Sequence, residues 1–194
     1  MTAHQPHSRV QAAGADRAPS NRSRGGSLDR VLRAGIIVLS AALVYVLYAA
    51  IHEHVVVAGD KAPSFTITTD DGHNISVPNF GAKLLVLNFW ASWCAPCVEE
   101  TPSLSEFARR YAGKGVVVLG VSVDRDAGAY QKFLQRFRPA FLTARDLKIH
   151  EDYGTYIYPE TYFIDSSGRV VRKLDVAGID FTDPKMLSFV DSLL

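Results

Sequence analysis

The sequence predicts an α/β domain on a mixed sheet, with one apolar helix ahead of it. Three observations carry this. Leu84 to Phe89 and Val116 to Val121 are continuous apolar runs, the pattern of strands covered on both faces. A helical pattern lies between them, so the two strands are parallel and joined by a right-handed crossover. Ala34 to Ile51 is an uncharged and very apolar run without proline.

The chain has 194 residues, enough for one ordinary domain with extensions. A formal net charge of +1 gives no sign of nucleic-acid binding. Residues 1–30 are rich in Ala, Ser, Gly and Arg and read as a disordered tail. Residues 31–52 read as a transmembrane anchor. Its apolar heart, Ala34 to Ile51, is about 27 Å long as a helix, near the hydrocarbon thickness of a bilayer. Tyr48 suits an interfacial anchor, and His52 and His54 suit the polar interface beyond it. Arg9, Arg17, Arg22, Arg24, Arg30 and Arg33 all precede the run, so the tail is expected in the cytoplasm and residues 55–194 outside it. Leu47 and Tyr48 stand where a signal-peptide cleavage site needs small residues, which favours a retained anchor. No Cys near the run serves a lipid anchor.

The exported part opens with alternating Phe65–Thr68 and Asn74–Val77 around Asp70-Asp71-Gly72, a β-hairpin. The strand Leu84–Phe89 follows. Leu104, Phe107, Ala108 and Tyr111 then form one helical face, with Pro102 expected to kink it. After the second buried strand, Asp126 caps a helix carrying Tyr130, Phe133, Leu134 and Phe137, which Pro139 stops. A short extended piece at Phe141–Thr143 and a short helix from Leu147 to Tyr153 come next. Glu160–Ile164 and Val170–Leu174 flank Asp165-Ser166-Ser167-Gly168, an antiparallel hairpin. Asp183-Pro184 starts a terminal helix with Leu187, Val190 and Leu194 on one side.

The chemistry is concentrated in Trp93-Cys94-Ala95-Pro96-Cys97, which holds both cysteines of the chain. A zinc site takes four ligands, and no second Cys pair exists. A structural disulfide normally closes a longer loop, because so short a one removes little entropy from the unfolded chain. A dithiol between a strand and a helix N-terminus, where partial positive charge favours thiolate, is suited to redox exchange.

Asn88 to Cys97, followed by Glu100 and Pro102, resembles the active-site segment of thioredoxin-like proteins. Tyr158-Pro159-Glu160-Thr161-Tyr162-Phe163-Ile164-Asp165 resembles their cis-proline segment. With the anchor and the leading hairpin, the chain is similar to the membrane-anchored TlpA, ResA and CcmG (DsbE) group from about Ala58 to Leu194. The resemblance implies a thioredoxin fold with an added N-terminal β-hairpin, preceded by one transmembrane helix. It places Pro159, in cis, beside the dithiol. Cys94 is then the nucleophile and Cys97 the resolving thiol. Pro96 stiffens the turn, and Trp93 covers the dithiol. Thioredoxin has a buried Asp where Asn88 stands, and Asn cannot exchange a proton. Glu100, one turn past Cys97 on the same helix face, is the candidate for that exchange. Tyr156, Tyr158 and Glu160 are candidates for contact with a partner chain.

The activity so implied is thiol–disulfide exchange without a cofactor, mainly as a reductase. Expected substrates are CxxC disulfides of apocytochromes c or of proteins that assemble copper sites, in the periplasm or its equivalent. A transmembrane electron donor of the CcdA/DsbD kind would restore the dithiol. A thioredoxin-fold copper chaperone is the rival from another class, but its Cys-x-x-x-Cys spacing is one residue longer. The His candidates within the domain, His73 and His150, lack an obvious metal context. A general disulfide oxidase or isomerase is the other alternative. A peroxidase would need a Pro/Thr-rich loop before a lone Cys, and none is present.

Overall fold

The computed structural model describes residues 25–51 and 55–194, in two compact units divided after His52. The tail up to residue 24 and the interfacial positions His52 and His54 lie outside the described residues. In the first unit, α1 spans Gly25–Ile51. Residues 25–30, placed in the tail by composition, are therefore helical. Leu28 to Arg33 contains good helix formers, and Asp29 pairs with Arg33 one turn on at 2.8 Å. Leu28–Tyr48 is long and apolar enough to cross a membrane, with a mean hydropathy of 2.1.

The second unit is a five-stranded sheet in the order β5-β4-β3-β6-β7, with a separate two-stranded hairpin. The hairpin strands β1 (Thr66–Thr68) and β2 (Asn74–Ser76) pair antiparallel, Ile67 opposite Ile75. At the centre of the sheet, β3 (Leu84–Trp90) is buried along its whole length. It pairs parallel with β4 (Val116–Ser122) and antiparallel with β6 (Glu160–Asp165). On the outer edges, β5 (Leu142–Arg145) runs parallel to β4, and β7 (Val170–Leu174) antiparallel to β6.

Alternation along β3 divides the core. Leu84 and Val86 face α2 (Ala95–Tyr111) and α5 (Pro184–Asp191), meeting Leu104, Phe107, Tyr111, Met186 and Val190. Leu85, Leu87 and Phe89 face the opposite way. There the cover is the hairpin, through Ile67 and Ile75, and the single-turn helix α4 (Ile149–Asp152). The helix α2 runs on through Pro102.

The remaining helix, α3 (Ala127–Phe137), is capped as the sequence implies: Asp126 Oδ1 accepts from Gly128 N at 2.7 Å. Its Tyr130 and Phe133 pack on Trp90, and this third cluster also contains Cys94 and Cys97. Gly120 is what admits the indole. A Cβ there would lie 3.0 Å from Trp90 Nε1 and 2.7 Å from the Phe141 ring.

Candidate active site

The site sits at the C-terminal end of β3. The strand delivers the chain to Ala91–Trp93, and Cys94 forms the N-cap of α2 with extended backbone (φ −85°, ψ 103°). Cys97 N points back at Cys94 Sγ, 3.3 Å away. This is the anion-favouring end of a seventeen-residue helix, so the thiolate of Cys94 is stabilised there when the pair is reduced. In the structure the two sulfurs form a disulfide. Cys94 is 6% exposed and Cys97 1%, so Cys94 is the more accessible sulfur. Pro96 occupies the first turn of α2, where its missing N–H breaks no helical bond.

The loop leading to Cys94 is held from β4. Asp124 is buried at the end of that strand, and its carboxylate accepts from Ser92 N (2.9 Å), Ser92 Oγ (2.8 Å) and Ser122 Oγ (2.7 Å). The sequence reading missed this residue. Its signal was position: polar residues just past the C-terminal ends of parallel strands are where α/β sheets place their sites.

Across from the disulfide, the Tyr158–Pro159 bond is cis, and the Tyr158 carbonyl oxygen lies 3.5 Å from Cys94 Sγ. Pro159 is buried. A second cis bond, Val77–Pro78, lies away from the disulfide and had no signal in the sequence. Tyr158 is half-buried, its hydroxyl 3.1 Å from His150 Nδ1, and its ring meets Trp93 edge-on at 6.0 Å. Trp93, expected over the dithiol, is 68% exposed. Trp93, Tyr156, Tyr158 and His150 line a cleft of about 870 Å³ that runs from the Cys loop to the start of α3.

Glu160 corrects an expectation. It does not border this cleft. Its carboxylate is buried, paired with Lys173 Nζ at 2.6 Å, and accepts from the hydroxyls of Tyr162 (2.8 Å) and Thr155. Following the proline, β6 turns this side chain inward. The partners on β7 and on the 153–158 loop were not visible from local sequence. The effect is to tie the loop carrying Tyr158 to the sheet.

A small polar cluster joins β3, α2 and β6. Asn88 on β3 uses both amide protons, one to Glu100 Oε1 and one to Thr161 Oγ1, each at 2.9 Å. Glu100 is 3% exposed, and burial pushes its carboxyl up to about 7, against a smaller opposing effect of the Asn88 hydrogen bond. A carboxyl poised there can hold or release a proton near neutrality. Among the described residues no group of three or more His, Cys, Asp or Glu could hold a metal ion.

A disulfide capping a helix, a cis-proline edge beside it and a mixed sheet behind it define the thioredoxin-fold class of dithiol proteins. The chain belongs to the AhpC/TSA family, whose model matches residues 58–173. Its relatives include the thiol-disulfide oxidoreductase ResA of Bacillus cereus, 31% identical over 143 residues, covering 72% of this chain and 83% of that one. ResA of Geobacillus kaustophilus is 33% identical over 145 residues with the same coverage. Among solved structures, a DsbE-type thiol:disulfide interchange protein from Chlorobium tepidum is similar, with a TM-score of 0.63 and 27% identity over 72% of this chain and 99% of that one. A secreted Mycobacterium tuberculosis disulfide oxidoreductase homologous to DsbE matches with a TM-score of 0.55 and 27% identity, covering 66% and 95%. The chain is a thiol-disulfide oxidoreductase of the ResA and DsbE kind, with Cys94 and Cys97 as its CxxC pair.

Proposed function

We propose that the protein is a membrane-tethered reductase of CxxC disulfides, acting outside the cytoplasm on apocytochromes c or on proteins that assemble copper sites. The observation that carries this is the combination at one point of a helix-capping Cys94, a buried resolving Cys97 and the buried carboxyl of Glu100. The tether is the apolar span within α1, with the arginine-rich tail inside and the catalytic unit outside.

The reaction starts from the reduced pair. Cys94 thiolate attacks one sulfur of the substrate disulfide, whose S–S bond breaks. The departing substrate sulfur leaves as thiolate and takes a proton from solvent. The exposed edge at Tyr158 holds the substrate backbone, while Trp93 and Tyr156 flank it. Cys97 then gives its proton to the Glu100 carboxylate and attacks Cys94 Sγ. The mixed disulfide breaks, the second substrate sulfur leaves, and the Cys94–Cys97 disulfide forms. Two electrons have passed to the substrate. A transmembrane dithiol carrier of the CcdA/DsbD kind returns the pair to its reduced state.

The test is a stopped-flow comparison of the reduced protein with oxidised peptides. A Cys-x-x-Cys-His peptide from a haem-attachment site and a copper-site Cys pair should each be reduced faster than an unrelated peptide disulfide of equal potential. Equal rates for all three refute the substrate assignment.

A further inference from the structure

Glu100 has two sides. Its Oε1 accepts from Asn88 in the polar cluster. Its Oε2 has no hydrogen-bond partner among the described residues. Yet Trp90 Nε1 is the single fully buried, unpartnered side-chain nitrogen or oxygen among them. Oε2 therefore touches solvent, although the residue as a whole is buried.

The cleft beside Trp93 and Tyr158 is lined without Glu100. Glu100 lines a second cleft of about 480 Å³, between the first turns of α2 and residues 178–182. Its wall is fixed: Ser103 Oγ donates to Glu100 O at 3.0 Å and accepts from Phe181 N at 3.3 Å. Glu99, Glu106 and Asp180 line it, all exposed, and no Lys, Arg or His does.

We propose that this second cleft is the proton path of the dithiol. The proton that Cys97 gives to Glu100 leaves through it, behind the site, while substrate still covers Cys94. The inference rests on the role given to Glu100 above. A partner chain seated on Trp93, Tyr158 and Cys94 excludes water from the front. A carboxyl reached only from that side would keep its proton until the partner left. With a separate opening, Glu100 is reset independently of substrate release. Burial sets its affinity for the proton, and the charged groups around it are few. From α2 these are Cys97, Glu99 and Glu106, and from the 178–182 segment Asp180; Asn88 and Thr161 on the sheet side are uncharged. The acidic rim offers the proton a negatively charged exit.

The experiment uses the full chain in detergent, carrying Cys97→Ser and ¹³Cδ-labelled glutamate. Cys94 is capped either with a methylthio group or with a single-cysteine peptide derived from a CxxC substrate. The Glu100 signal is titrated in both forms, and again with Glu106→Lys. The cleft predicts one midpoint for both caps, and a midpoint about half a unit lower with Glu106→Lys, weakened by salt. A midpoint raised by about a unit or more under the peptide cap would place the opening in the groove and overturn the inference. A midpoint that Glu106→Lys leaves in place overturns it too. If Glu100 shows no titration near neutrality even under the methylthio cap, its role in the exchange falls, and the proton path with it.

Discussion

Replacing Glu100 by Gln removes a titrating group and keeps its shape. The Gln side-chain carbonyl can still accept the Asn88 hydrogen bond seen at 2.9 Å. The sign of the effect follows from the direction of the shift. Burial raises the folded-state carboxyl from 4.5 to about 7, so the folded protein binds the proton more tightly than the unfolded chain does. Below about pH 4.5 both states are protonated, and the group costs nothing. As pH rises from about 4.5 to about 7, the folded state loses stability relative to the unfolded state, and above that range the loss is complete. The gap between 4.5 and about 7 corresponds to about 3 kcal/mol at most. Urea unfolding of the oxidised protein should therefore give nearly equal stabilities for the two forms near pH 4. By pH 8.5 the Glu100→Gln variant should be the more stable by up to about 3 kcal/mol. Parallel stability curves across that range would refute the buried, proton-holding carboxyl.

Other outcomes follow from the same geometry. Cys94→Ser should abolish exchange, whereas Cys97→Ser should accumulate a mixed disulfide with substrate, seen as a mass adduct on a non-reducing gel. Lys173→Met leaves the buried Glu160 unpaired and should cost about 3–5 kcal/mol in urea unfolding, most of it recovered in Lys173→Met/Glu160→Gln. Asp124→Asn disturbs the hold on Ser92 and Ser122, and should cost about 2 kcal/mol and slow attack by Cys94 on a disulfide probe. Phe107→Ala, deep between α2 and the sheet, should cost about 3–5 kcal/mol while leaving the reduction potential close to that of the parent.

The strands and long helices were legible because burial imposes periodicity. Leu84–Phe89 and Val116–Val121 are apolar throughout since both faces of the central sheet are covered. The face Leu104, Phe107, Tyr111 repeats because α2 lies on that sheet. The catalytic pair was legible as well, because a tight Cys pair before a helix admits few other uses. The less visible features depend on residues distant in sequence. Glu160 looks like a surface residue until β7 brings Lys173 to it and the 153–158 loop brings Thr155. Asp124 gains its meaning from Ser92 in a different element. Residues 25–30 are polar enough to resemble the tail, yet an ion pair one turn apart and good helix formers carry α1 back to Gly25.

The central claim is that Cys94 and Cys97 deliver electrons to a partner disulfide. The reduction potential of this pair, equilibrated in defined thiol buffers, tests it most directly. A value near the thioredoxin end, about −270 mV, is the result expected of a reductase. A value near the DsbA end, about −120 mV, would make the protein an oxidant and contradict the account.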